Sequence, residues 1–140
     1  MPIGDPMGGE APESERGRLR RVQQVWVPVT DLDAAVEDYT GVLHFTLKKK
    51  DISGDHAELL LEDGATIVLY RSKEEDQEQP GIRTGVVFAT DSIYDFHKDM
   101  VDEGVDFTLK PMRDQYGRLI ARFTDSDGNE YEVIEMSGQR

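Results

Sequence analysis

The chain has 140 residues, with 29 acidic against 16 basic, a formal net charge of −13 and no cysteine. That length suits one domain, or two small modules sharing a core. Missing thiols exclude disulfides, thiolate metal sites and cysteine nucleophiles, and the negative charge argues against nucleic acid as a partner. The same acidity would draw cationic ligands, and it equally serves solubility. No apolar run reaches the length of a membrane span, so no membrane partner is expected and the cytoplasm is the expected location.

Residues 1–20 carry Pro, Gly, Ser and charge without periodicity, which predicts a disordered tail closed by Arg18, Arg20 and Arg21. Val22 to Val29 then reads as a strand. Val25, Val27 and Val29 share one face, and Gln24, Trp26 and Pro28 share the other. Thr30 or Asp31 caps a helix through Ala34, Ala35, Tyr39, Val42 and Leu43. Strands are expected over Phe45 to Lys50, Ala57 to Glu62 and Thr66 to Arg71, with a turn at Asp63-Gly64. Ser72 to Ile82 has no periodicity until its last residue and reads as a linker.

The pattern then restarts. Gly85 to Thr90 is a predicted strand, and Asp91 or Ser92 caps a helix to about Glu103, where Gly104 stops it. Val105 to Lys110 is the next strand, followed by a loop over PMRDQY. The chain closes on a hairpin whose turn is Asp127-Gly128, because glycine accepts the positive φ of such turns. Its strands place Leu119, Ala121, Phe123, Tyr131 and Val133 on one face, and Arg118, Arg122, Glu130 and Glu132 on the other.

The two halves echo each other. Phe45-Thr46-Leu47-Lys48 returns as Phe107-Thr108-Leu109-Lys110, Thr30-Asp31 as Thr90-Asp91, and Asp63-Gly64 as Asp127-Gly128, each at the same place in the element order. The expected fold class is therefore α+β: two βαβββ modules forming a cupped mixed sheet with a ligand cleft. Module one spans 21–71, the linker 72–82 and module two 83–137, making one domain over 21–137. Each helix covers one face of its sheet and leaves the other face for a partner. The open faces would carry Gln24, Trp26, His56, Glu58, Thr66, Val68, Tyr70, Gly85, Val87, Arg118, Ile120, Arg122, Glu130, Glu132 and Ile134. Aromatic, aliphatic and a few charged groups together are the chemistry of a small-molecule pocket.

VPVTDLDAAVEDYTGVLHF, VVFATDSIYDFHKDMVDEGVDF and above all YGRLIARFTDSDGNEYEVIE resemble the vicinal oxygen chelate superfamily of glyoxalases, bleomycin-resistance proteins and extradiol dioxygenases. The resemblance implies the paired-module fold. In metal-dependent members it implies ligands at positions that fall here on Gln24, Val68, Gly85 and Glu132. Val68 and Gly85 have no ligating side chain, and an amide with one carboxylate makes a poor site for a transition metal. His56 or Glu58 could supplement Gln24 and Glu132.

The sequence thus leads to a metal-free binding protein of the bleomycin-resistance type, related to antibiotic resistance by sequestration and using no cofactor. Its ligand-binding residues would be Gln24, Trp26, His56, Glu58, Val68, Tyr70, Val87, Arg118, Arg122 and Glu132. The alternative is a lyase, isomerase or dioxygenase with a divalent metal ion on Gln24, Glu132 and His56. A further reading makes Glu132 a general base without a metal. The resemblance also implies a homodimer, with a cleft lying within one chain or between two. No serine-histidine-aspartate set, glycine-rich phosphate loop or zinc-protease helix motif is present in the sequence.

Overall fold

The computed structural model describes residues 16–51 and 53–136. Of the expected tail, residues 1–15 lie outside the described residues, and 16–24 carry neither helix nor strand. Module one runs β1 (Val25–Val29), α1 (Leu32–Gly41), β2 (Thr46–Lys50), β3 (His56–Leu60) and β4 (Thr66–Arg71). Module two repeats it as β5 (Arg83–Thr90), α2 (Ile93–Asp102), β6 (Asp106–Arg113), β7 (Leu119–Thr124) and β8 (Glu130–Glu135). Each module forms a four-stranded mixed sheet, ordered β1-β4-β3-β2 and β5-β8-β7-β6. The parallel pairs are β1 with β4 and β5 with β8, and the other pairs are antiparallel. The two βαβββ modules of the sequence reading are therefore the architecture of the chain.

Local chemistry explains the element ends. Asp31 caps α1 by accepting from the Ala34 N–H at 3.1 Å, and Ser92 caps α2 from Asp95 at 3.3 Å. Pro28 sits inside β1 without breaking the sheet, because β1 is an edge strand and a missing N–H there costs no ladder bond. The same rule corrects one boundary. The stretch from Pro111 to Arg113, expected as loop, continues β6, with Met112 opposite Ile120 and Arg113 opposite Leu119. β6 is the other edge of its sheet, so Pro111 is tolerated and the turn comes later, over 114–117.

The helix-covered faces of both sheets belong to one core. Val27, Val29, Leu59, Ile67, Leu69, Ala121, Phe123, Tyr131 and Val133 are buried in it, and Val25, Leu61, Val86 and Phe88 are partly buried against it. Tyr39, Phe45 and Phe96 add aromatic contacts that period-two reading of the strands does not supply. The rings of Phe45 and Phe88 meet across the modules at 5.8 Å, and those of Tyr39 and Tyr131 at 6.2 Å.

Polar contacts fix the modules to each other. Asn129 is fully buried just before β8. Its carbonyl accepts from Gly81 and Ile82 N–H at 2.9 and 3.0 Å, and its amide donates to the Pro28 carbonyl at 2.8 Å and to Asp125 at 2.9 Å. Gly128 precedes it at φ 84°, the conformation that makes glycine the fitting residue in this turn. The Tyr39 hydroxyl donates to Asp125 at 2.6 Å and lies 2.7 Å from the Tyr131 hydroxyl.

Burial, the neighbouring Tyr131 and the Asp125 charge push the Tyr39 phenol well above its usual value. Burial raises Tyr131, opposed by its hydrogen bond with Tyr39, and the Asp125 charge adds to the rise. A raised folded value means this stability is complete below the unfolded tyrosine value of about 10 and is lost as pH rises through the folded value. Urea midpoints should hold from neutral pH to about 9 and then fall, and the fall should be shallower in Tyr131→Phe. Asn129→Ala removes four hydrogen bonds, the one to Pro28 buried and the others part-buried, and should cost about 2–4 kcal/mol in the same assay, with the m-value unchanged.

Candidate functional site

Strand register assembles the open face of each sheet in rows. In sheet one, Trp26, Val68 and Glu58 lie side by side, and Pro28, Tyr70 and His56 form the next row. Trp26 is 46% exposed, yet its ring is held in place. It lies 5.6 Å from the His56 ring and 5.8 Å from the Tyr70 ring, and its indole N–H donates to Gln24 Oε1 at 2.7 Å. Val68 is fully buried even on this open face, flanked in register by Trp26 and Glu58. Glu58 faces Lys48 at 3.9 Å.

In sheet two the equivalent row is Val87, Glu132 and Arg122. Arg122 Nε lies 3.1 Å from Glu132, and the Arg118 guanidinium lies 3.6 Å from the same carboxylate and 2.6 Å from Asp114. Burial alone would raise the Asp114 carboxyl, but bonds from Arg118 and Tyr116 hold it below the usual carboxylate value. Next to this row, Glu130 accepts from the Thr108 hydroxyl at 2.7 Å and pairs with Arg83 at 3.3 Å. Asp114, Lys48 and Arg83 are the participants that sequence reasoning missed. For Asp114 a signal was available: the Asp-Gln-Tyr-Gly turn ends at Arg118, so an aspartate bonding back across its own turn puts its carboxylate on that arginine.

The expected site residues therefore form two groups. Trp26, His56, Tyr70 and Gln24 gather on sheet one, and Val87, Arg118, Arg122 and Glu132 on sheet two, while Glu58 sits beside Val68. A cavity of about 230 Å³ is lined by Val87, Arg122, Glu130 and Glu132. A larger one of about 700 Å³ runs between β1 and β5, touching Gln24, Thr66, Phe45, Val87 and Phe88.

The four positions implied as metal ligands do not fit a metal. Gln24 is bonded to Trp26, and Glu132 is flanked by two arginines. Val68 is apolar, and Gly85 has no side chain and φ 76°. The His56 ring stands against Trp26. Among the described residues no group of three or more His, Cys, Asp or Glu is placed to hold an ion.

The model of the Glyoxalase/Bleomycin resistance protein/Dioxygenase superfamily matches residues 21–133. The chain belongs to that superfamily. A superfamily member from Sphaerobacter thermophilus DSM 20745 superposes with a TM-score of 0.77 at 25% identity, covering 84% of this chain and 98% of that one. TnmS3, an antibiotic binding protein from Streptomyces sp. CB03234, gives a TM-score of 0.74 at 24% identity, over 85% of this chain and 98% of that one. TioX from Micromonospora sp. ML1 gives 0.66 at 18%, over 83% and 98%. No curated protein sequence matches significantly. Within this glyoxalase-type fold the chain keeps the paired modules. No helix among the described residues is long and apolar enough to cross a membrane.

Proposed function

We propose that this superfamily member is a metal-free small-molecule-binding protein that holds its ligand by aromatic stacking and polar contacts, as in sequestration of a drug or metabolite. The observation that carries the reading is the state of the four ligand positions. Two lack a donor atom, and the other two, Gln24 and Glu132, are already engaged by Trp26 and by Arg122 with Arg118. A metal would have to break both engagements and still find too few donors. Beside Val68 stands an exposed indole braced by His56, Tyr70 and Gln24, a rigid surface suited to a flat ligand. The likeness to an antibiotic binding protein supports the same reading.

The cleft is completed, on this proposal, by a second copy. Trp26 and Val87 are 46% and 50% exposed on open faces, and β1 and β5 are both edge strands. Sedimentation of the full chain should therefore give a dimer at micromolar concentration, and a monomer throughout would remove this part of the proposal.

Trp26 is the only tryptophan of the sequence, so its emission reports directly on that surface. Titration with aromatic antibiotics should quench or shift it saturably, and Trp26→Ala should weaken binding by about tenfold or more. Protein purified without a metal-binding tag should contain far less than one equivalent of any transition metal, and binding should survive chelator. One tightly held equivalent, with activity that depends on it, would replace this reading by metal-dependent catalysis.

A further inference from the structure

We propose that the ligand presents an anionic or strongly accepting oxygen group, such as a carboxylate, sulfonate or phenolate, to Arg118 and Arg122. This rests on the binding reading above and adds the charge of what is bound. Net charge points the other way, since a chain at −13 attracts cations. The side chains on sheet two reverse that expectation at contact range.

The three ion pairs there share one layering. The carboxylates of Asp114, Glu132 and Glu130 are only 14%, 15% and 22% exposed. Their partners Arg118, Arg122 and Arg83 are 40%, 36% and 80% exposed. The anions lie beneath and the guanidinium groups lie above, so an approaching ligand meets cations first. A guanidinium carries five N–H donors. Arg122 spends Nε on Glu132, and Arg118 spends Nε and one terminal nitrogen on its carboxylates. Donors remain for a planar acceptor, which arginine receives in a bidentate fork.

A ligand ammonium would instead have to displace a guanidinium to reach Glu132, exposing a half-buried ion pair to rearrangement. Long-range repulsion from the acidic surface does not outweigh this. At physiological ionic strength the screening length is about 8 Å, whereas a charge-assisted bond acts at about 3 Å. The sheet-two row Val87–Glu132–Arg122 stands where sheet one has Trp26–Val68–Glu58, so the two rows divide the work: one offers a ring surface, the other a cationic one.

Three probes with a common naphthalene ring test this by calorimetry on the full-length protein: naphthoate, naphthamide and naphthylmethylammonium. Naphthoate should bind about tenfold tighter than naphthamide, with the ammonium weakest. Arg122→Gln should bring the ratio of naphthoate to naphthamide affinity close to one, and Arg122→Lys should retain part of it. If Arg122→Gln does not fold, Arg118→Gln serves the same purpose, and the ranking on the unmodified protein decides by itself. Equal affinity for all three, or the ammonium tightest, overturns this inference and leaves the binding function standing. Silence from all three, with no change in Trp26 emission for these or for the antibiotics, takes down both.

Discussion

The Asn129 side chain ties together three stretches of chain: the end of β1 at Pro28, the end of the linker at Gly81 and Ile82, and the β7–β8 turn at Asp125. Each bond satisfies a backbone or side-chain group around a fully buried amide, the one to Pro28 being buried as well. Leaving one unmade would cost more than a made bond contributes. Asp125 extends the same network to Tyr39 on α1, and Tyr39 to Tyr131 on β8. The position of one module against the other is thus set by specific polar geometry as well as by shared apolar surface. The open faces inherit their placement from it.

Much of this was legible in the residues. Alternation separated Val27, Leu59, Ile67, Phe123 and Val133, which are buried under the helices, from Trp26, His56, Glu132 and Arg122, which are not. Period two is a local property, and strand faces follow from it directly. What alternation does not encode is reach between elements. Nothing in the strand pattern says that Asn129 bonds to Pro28, 101 residues away, or that Tyr39 of α1 meets Tyr131 of the last strand. Val68 and Ile120 show a second limit. Alternation assigns both to open faces, yet they are 0% and 2% exposed, because their row neighbours are large enough to cover them. The extension of β6 through Pro111 shows a third: proline breaks a strand only where a partner needs its N–H, and sequence does not reveal which strands are edges.

The sheet-two row also shows how a carboxylate is kept at low exposure by paired arginines. Glu132 at 15% side-chain exposure needs positive compensation, and Arg122 on the next strand supplies it in register. At the matching place in sheet one stands Val68, which needs none, and Trp26 lies beside it. Both solutions are self-consistent. Neither leaves a buried side-chain polar atom unpaired among the described residues.

Backbone geometry reinforces what the side chains say. Gly85, the module-two counterpart of Gln24, has φ 76° and lies where the β5–β8 register slips between Arg83 and Val87. A side chain there would meet open space, so crowding is no obstacle. The left-handed backbone is, because a non-glycine residue held there costs on the order of 1 kcal/mol or more. A ligating residue at this position would therefore need the bulge to be remodelled, and Glu132 would have to leave two arginines to join it. The departure from the chelating pattern is consequently distributed over strand register, a glycine conformation and a set of ion pairs, and exchanging one side chain does not undo it.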